Sequence, residues 1–224
     1  MDLNLIEKFI LLSLDSKKGK FVIDAMSLNY GIAGAILLEL SEDKKISIIN
    51  KRLTISDYKL TGDKVIDASV KLINNSKKKR KTKYWIYKIG NKSSGLKKII
   101  LDDLKYKKLV KITSKKYFFN LITIYRYPII NNTYTEELKK EVKDIVFANK
   151  KPDVKGLLLL SLMNSCKLTR VLFMNKKEHS VAKKRIKELT KDVEISNEVS
   201  QTLKEIQTAV IVATSTAVIG STSN

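Results

Sequence analysis

Residues 31–40 read GIAGAILLEL, a run in which Glu39 is the one charged side chain. The run lies inside a stretch that we predict to form one helix over residues 27–42. Its first half is built from small residues, which allow another helix to approach closely. Gly31 and Gly34 therefore belong to a helix interior, and not to the strand-to-helix turn that a phosphate-binding loop requires.

Around this helix the sequence alternates further helices with two short β-hairpins. Helices are predicted at the N-terminus over residues 3–14 and then over 61–74, 84–87, 96–110, 135–148, 154–166, 178–189 and 196–218. Strands are predicted over 46–49, 52–55, 110–113 and 117–127. Thr61 is the expected N-cap of its helix, with Asp63 favourable near the positive end of the dipole. The fold class is mainly α, in one globular domain spanning residues 1–224.

Composition points to an anionic partner. The chain has 44 Lys+Arg against 23 Asp+Glu, a net charge of +21. Such an excess attracts the phosphates of nucleic acids or of lipid head groups. An AT-rich genome, whose codons favour lysine, explains part of the excess but not where the lysines cluster.

The sequence offers little for catalysis or for a cofactor. Cys166 and His179 are the single cysteine and histidine, which excludes an internal disulfide, indicates a reducing compartment and gives no metal-ligand set. There is no dinucleotide-binding loop and no serine elbow. No signal peptide or run of about 18 apolar residues is evident. We therefore predict a cytoplasmic protein that is not an enzyme and needs no cofactor.

The densest basic run covers residues 77–83 and has six cations in seven residues. They are Lys77, Lys78, Lys79, Arg80, Lys81 and Lys83. Near an anionic membrane each cation contributes about 1 kcal/mol, whereas on DNA the same lysines would release counter-ions. A localisation signal and a solvated surface loop are the other interpretations.

The second hairpin is apolar on both faces. Phe119, Leu121 and Tyr125 are predicted on one face, and Phe118, Ile122 and Ile124 on the other. One face can lie on the core, and the other would then suit a second protomer or a lipid surface. The alternative is that both faces are buried within the domain. We take Phe118, Phe119, Leu121 and Ile122 as the candidate membrane or oligomer contact.

Several short segments keep a specific order along the chain. They are LLSLD at 11–15 with Lys18-Gly19 after it, the run 31–40, TGD at 61–63, YWI at 84–86, Tyr127-Pro128 and LLLL at 157–160. In their order and spacing the chain resembles the Golgi phosphoprotein 3 family over nearly its whole length, as a prokaryotic-type member. The resemblance implies a helical domain with one protruding hairpin and peripheral membrane binding through phosphatidylinositol 4-phosphate. It also implies a sorting-adaptor role with membrane-enzyme clients, and homo-oligomers formed through the hairpin.

The resemblance further implies a head-group pocket. Its tryptophan position falls on Asp24, an arginine position on Ala33, and two later basic positions on Pro152 and Lys155. Among these four residues, Lys155 alone is basic. Trp85 matches a different family position.

Two more lysines stand close to Lys155. Lys150 and Lys151 lie just before the predicted helix 154–166, whose first N–H groups favour phosphate. We therefore predict that Lys150, Lys151 and Lys155 contact lipid head groups.

The function predicted from the sequence is that of a peripheral membrane protein that binds anionic lipids. The alternative is a basic nucleic-acid-binding protein, because a helix followed by a hairpin occurs twice, which is the outline of a winged helix. The predicted helix 96–110 counts against it, since it presents no face of Asn, Gln or Arg for reading bases.

Overall fold

The computed structural model describes residues 3–50, 52–119, 121–191, 205–206 and 208–214. In these residues the helices are α1 (Leu5–Leu12), α2 (Ala25–Glu42), α3 (Lys64–Asn74), α4 (Thr82–Gly90), α5 (Leu96–Tyr106), α6 (Thr133–Phe147), α7 (Val154–Ser165), α8 (Thr169–Leu172) and α9 (Lys176–Lys191). The strands are β1 (Ile46–Ile49), β2 (Arg52–Ile55), β3 (Arg80–Lys81), β4 (Thr113–Tyr117) and β5 (Ile122–Arg126). The predicted mainly α fold with two small antiparallel sheets is confirmed.

Helix α2 lies at the centre of the core, and every residue from 31 to 40 is buried. Gly31 faces the ring of Phe9 in α1 and the Sγ atom of Cys166. Gly34 faces Leu162 of α7 and Val210. The missing side chains at the two glycines thus let α1, α7 and the segment 208–214 pack directly on the backbone of α2.

Side chains at the helix starts fix where the core helices begin. Asp24 caps α2 by accepting a hydrogen bond from the Ser27 N–H at 2.8 Å. Asp63 caps α3 through the N–H groups of Val65 and Ile66, so the prediction of Thr61 as the cap was wrong. Thr61 instead donates its N–H and hydroxyl to Asp67. An aspartate satisfies first-turn donors and also carries the charge that the helix dipole favours.

The first sheet has a third strand that the sequence did not predict. Strands β1 and β2 pair as predicted, with Ile46 opposite Ile55. Strand β3 then pairs with β2, placing Arg80 opposite Leu53 and Lys81 opposite Arg52. Because Leu53 is buried, this pairing ties part of the basic run to the core. Residues 80–81 of the run are therefore strand and 82–83 are helix, whereas 77–79 form an exposed loop.

The second hairpin has a different register from the predicted one. Strands β4 and β5 pair from Thr113↔Arg126 to Tyr117↔Ile122, so Lys115 and Lys116 lie in a strand and not in the turn. The turn instead contains Phe118 and Phe119, both with positive φ, of 49° and 51°. Helix α5 also ends at Tyr106, four residues earlier than predicted.

The predicted helix 196–218 lies mostly outside the described residues. Within it, residues 208–214 are helical, and Ala209, Val210 and Ala213 are buried. This part of the segment packs in the core, as predicted.

We predict that Gly31→Ala lowers the free energy of unfolding by about 1–3 kcal/mol, as overpacking does. A Cβ at residue 31 would lie 2.8 Å from Cys166 Sγ and closer still to the Phe9 ring. Urea denaturation followed by circular dichroism measures the change. Gly156→Ala is the control, because its methyl group would meet side-chain atoms at 3.0 Å or more. Equal effects at the two positions would contradict this account.

Candidate functional site

The tip of the second hairpin is an exposed apolar surface. Relative exposure is 73% for Phe118, 101% for Phe119, 84% for Leu121 and 48% for Ile122. The structure therefore brings the four predicted contact residues together in solvent, and the alternative that both faces are core is wrong. Apolar side chains grouped in this way mark an interaction site.

Lysines flank the apolar tip. Lys115 and Lys116 lie in β4 opposite Ile124 and Thr123, and both lysines are exposed. The Nζ atom of Lys115 stands 5.3 Å from the centre of the Tyr117 ring. The hairpin thus combines an apolar end with cations just behind it.

The base of the hairpin is held on the loop that precedes α2. The N–H of Tyr127 donates to the carbonyl of Gly19 at 2.7 Å, and its ring packs against Phe21 at 5.5 Å between centroids. Gly19 has a φ of 60°, and a side chain there would overlap the Tyr127–Pro128 backbone. Glycine is therefore required where the two segments cross.

Lys97, in the first turn of α5, is a candidate that the sequence did not single out. Its Nζ lies 4.8 Å from the centre of the Phe21 ring and 3.5 Å from Asn29 Oδ1. Burial lowers the pKa of Lys97. Within the part of the chain that the structure describes, no carboxylate forms an ion pair with it. Lys98, its neighbour, pairs with Asp102 at 2.6 Å. Helical spacing distinguishes the two lysines, because Lys97 falls on the side of Ile100 and Leu104, whereas Lys98 has Asp102 four residues on.

The basic run forms one wall of an open pocket of about 420 Å³. We call it the basic pocket; it is lined by Arg52, Lys79, Arg80, Lys81, Lys83, Tyr84 and Tyr87. Tyr87 packs edge-on against Tyr30 at 5.2 Å, and Tyr30 is next to Asn29. A chain of contacts thus runs from the basic pocket to Lys97. Lys77 and Lys78 of the run are exposed and do not line the pocket.

Lys155 lies in an acidic environment. Its Nζ is 3.6 Å from Glu39 Oε1, and Glu39 is buried, accepting the Leu5 N–H at 3.2 Å. Burial raises the pKa of Glu39 and also that of Glu42, while the charge of Lys155 opposes both shifts. The main role of Lys155 in this structure is thus to neutralise carboxylates.

The start of α7 is already capped. Asp153 accepts the Gly156 N–H at 2.7 Å, so a carboxylate occupies the place where a phosphate would bind. Lys150 and Lys151 are exposed just before this cap. These surroundings weigh against a head-group site at the start of α7.

The structure does not bring the four positions implied by the resemblance into one pocket. Ala33 is fully buried, and Asp24 is engaged as the cap of α2. Asp24 and Glu39, the partner of Lys155, are fifteen residues apart on one helix, a distance of about 22 Å. Asp24 therefore lies at the start of α2, and the Glu39–Lys155 pair lies near its other end.

The described residues give no sign of metal or thiol chemistry. Among them, no three His, Cys, Asp or Glu side chains converge on a metal-binding position. Burial raises the pKa of Cys166 strongly, which keeps it a protonated thiol. No helix in the described part of the chain has the length and apolarity that a bilayer span requires.

Comparison with known proteins decides the family. Residues 5–206 match the family described as Golgi phosphoprotein 3 (GPP34). The chain belongs to the Golgi phosphoprotein 3 family. Vacuolar protein sorting-associated protein 74 of Schizosaccharomyces pombe is 24% identical over 164 residues, covering 64% of this chain and 48% of that protein. The matched region thus spans about half the length of that relative.

For this Golgi phosphoprotein 3 family member, the pair Lys155–Glu39 predicts a pH-dependent stability. The raised native pKa of Glu39 means that the folded chain binds its proton at a higher pH than the unfolded chain does. The stability that Glu39 contributes is therefore full below its unfolded pKa and is lost as the pH rises through the native pKa. Without Lys155, the charged Glu39 becomes more costly to bury.

We predict that Lys155→Met lowers the free energy of unfolding by about 1 kcal/mol at pH 8 and by clearly less at pH 5, where Glu39 can take up a proton. Urea titrations at the two pH values measure both changes. Lys151→Met, at an exposed position, serves as the control and should leave stability unchanged. A loss that is the same at pH 5 and pH 8 would rule out Glu39 as the partner that matters.

Proposed function

We propose that this protein is a non-enzymatic peripheral membrane protein that binds anionic lipid head groups on the cytoplasmic side of a membrane. The observation that carries the proposal is the exposed apolar hairpin tip with lysines behind it. Such a surface offers both contributions that stable membrane attachment needs, an apolar group that enters the interface and cations that attract anionic lipids.

The free energies expected from apolar insertion and from lysine attraction indicate that both are needed for membrane binding. Burying one large apolar side chain contributes about 1.5–3 kcal/mol, and each cation near an anionic surface contributes about 1 kcal/mol. Phe119 and Leu121 lose almost no existing contacts when they enter a membrane, because they are nearly fully exposed. Neither contribution alone gives lasting attachment, whereas the sum does.

Lys97 is the proposed head-group contact. It lies beside Phe21, which packs on the hairpin base through Tyr127. Lys97 is partly desolvated, and no acidic side chain among the described residues pairs with it. Such a lysine gains more from a phosphate than a fully hydrated one does. Following the family, we propose phosphatidylinositol 4-phosphate as the lipid.

The wider role proposed for the protein is that of a sorting adaptor. Support comes from the family and from the relative named for vacuolar protein sorting. Its partners would be anionic lipid, membrane-enzyme clients and, through the hairpin, further copies of the chain. The apolar tip can be covered in an oligomer or can enter a membrane. Measuring the molecular mass and the lipid binding of the same variants distinguishes the two.

We predict that Phe119→Ser combined with Leu121→Ser weakens binding to vesicles containing phosphatidylinositol 4-phosphate about tenfold or more, because two apolar side chains no longer enter the interface. Vesicle flotation at physiological salt measures the affinity. Light scattering after size-exclusion chromatography reports the oligomeric state of each variant.

The control for the hairpin variant is Met174→Ser, which removes an apolar side chain that is 87% exposed at a different place. It should bind vesicles as the unchanged protein does. Equal flotation of the hairpin variant and the unchanged protein would refute membrane insertion. A change of mass without a change of flotation would assign the tip to self-association.

We predict that Lys97→Met lowers the affinity for the same vesicles roughly tenfold, which is the size of one charge-assisted hydrogen bond. Lys98→Met removes the same charge from the next residue, which already has Asp102 as its partner, and should change the affinity less than threefold. If the two variants are equally impaired, the lysines act as diffuse charge and Lys97 is not a head-group contact.

A further inference from the structure

Three of the five cations of the basic pocket, Arg52, Arg80 and Lys83, make contacts that restrict their side chains. The guanidinium of Arg52 donates to the carbonyl of Lys79 at 2.9 Å. The guanidinium carbon of Arg80 stands 5.0 Å from the centre of the Tyr84 ring, and the Nζ of Lys83 stands 5.7 Å from that of Tyr87. Side chains ordered in advance lose less entropy when a ligand binds.

The two tyrosines are themselves anchored in the core. Tyr84 packs edge-on against Trp85, which is 2% exposed. Tyr87 packs in the same way against Tyr30 of α2. Each ring thus has a neighbouring aromatic ring as support, and each carries one cation of the pocket.

The pocket lies at the start of α4, whose first turn has no side-chain cap. Lys81 occupies the N-cap position of α4 and makes no capping hydrogen bond with its side chain. A lysine has no acceptor to offer to the first-turn N–H groups, and Lys83 and Tyr84, which line the pocket, belong to that turn. The helix dipole further favours negative charge at this end.

The charge of the pocket sets the chemistry of its ligand. Five of its seven lining residues are cations and none is acidic. A single phosphate monoester carries about −1.5 to −2 at neutral pH, which balances at most two of the five. The pocket is open and has a volume of about 420 Å³, which admits a compact ligand that carries several phosphates.

We propose that the basic pocket, between β2, β3 and the start of α4, binds a compact ligand with clustered phosphate groups. This site is separate from the lipid contact at Lys97 and the hairpin, and it does not depend on membrane binding. The clustered phosphates can come from a soluble polyphosphorylated molecule or from a lipid head group with several phosphates, and the recognition chemistry is shared.

The test uses calorimetry of the full chain at physiological salt, with inositol hexakisphosphate, inorganic tripolyphosphate and inorganic phosphate as probes. We expect one site per chain, with inositol hexakisphosphate bound at least a hundredfold more tightly than phosphate. Arg80→Gln combined with Lys83→Gln should weaken this binding at least thirtyfold, because two charge-assisted contacts are lost.

The matched control is Lys115→Gln combined with Lys116→Gln, which removes the same charge from the hairpin. It should weaken binding of the soluble probes less than threefold, and so should the hairpin variant Phe119→Ser with Leu121→Ser. If the Arg80/Lys83 and Lys115/Lys116 double variants weaken binding of the soluble probes equally, the attraction is diffuse and the pocket is not a site. The same holds if inositol hexakisphosphate binds no more tightly than phosphate.

Vesicles and DNA identify the source of the phosphates. The first outcome is that the chain floats with vesicles containing phosphatidylinositol 4,5-bisphosphate, the Arg80/Lys83 double variant does not, and soluble probes bind weakly. This outcome would assign the pocket to a lipid head group. Duplex DNA that displaces inositol hexakisphosphate at stoichiometric concentration would overturn the proposal in favour of a nucleic-acid surface.

Discussion

The rest of the structure depends on the close approach of other helices to the backbone of α2. Gly31 and Gly34 allow it, since they leave room for Phe9, Cys166, Leu162 and Val210. Because α2 is covered in this way, its apolar run is buried from residue 31 to residue 40. Because the core is built around this one helix, most charged side chains lie on the outer helices and strands. Their arrangement there carries the information about function.

Glu39 is the exception inside the run, and it shows how a buried charge is used. It accepts the Leu5 N–H at the start of α1 and pairs with Lys155 at the start of α7. One carboxylate therefore joins the beginnings of two helices to the middle of the fold. A lysine needed to compensate such a charge is poorly suited to bind a phosphate as well, because the two anions would compete for it. This is the physical reason to prefer Lys97 to Lys155 as the proposed lipid contact.

The elements of the fold were largely predictable, whereas the site was predictable only where it is local in sequence. Hydrophobic spacing predicted α2, and the apolar residues Phe118, Phe119, Leu121 and Ile122 were recognised as a candidate contact, although they were placed in a strand and not at the tip. The register of that hairpin was not predicted. Its turn has positive φ at Phe118 and Phe119, where Gly or Asn is usual and would have marked the turn in the sequence. The pairing of β3 with β2 and the contact of Lys97 with Phe21 join residues far apart in the chain. Local patterns carry no information about either.

The arrangement of the cations also distinguishes functional lysines from lysines that result only from AT-rich codon usage. Drift towards lysine adds charge without regard to what lies beside it. In the described residues, the cations that stand over aromatic rings are Arg80, Lys83, Lys97 and Lys115. Each of them belongs to the basic pocket, the Lys97 site or the hairpin. A ring holds a cation in place while leaving its positive charge uncompensated, whereas a carboxylate would cancel that charge. Cations positioned in this way stay available for an anionic ligand, and this arrangement, more than the net charge of +21, supports anion binding by the protein.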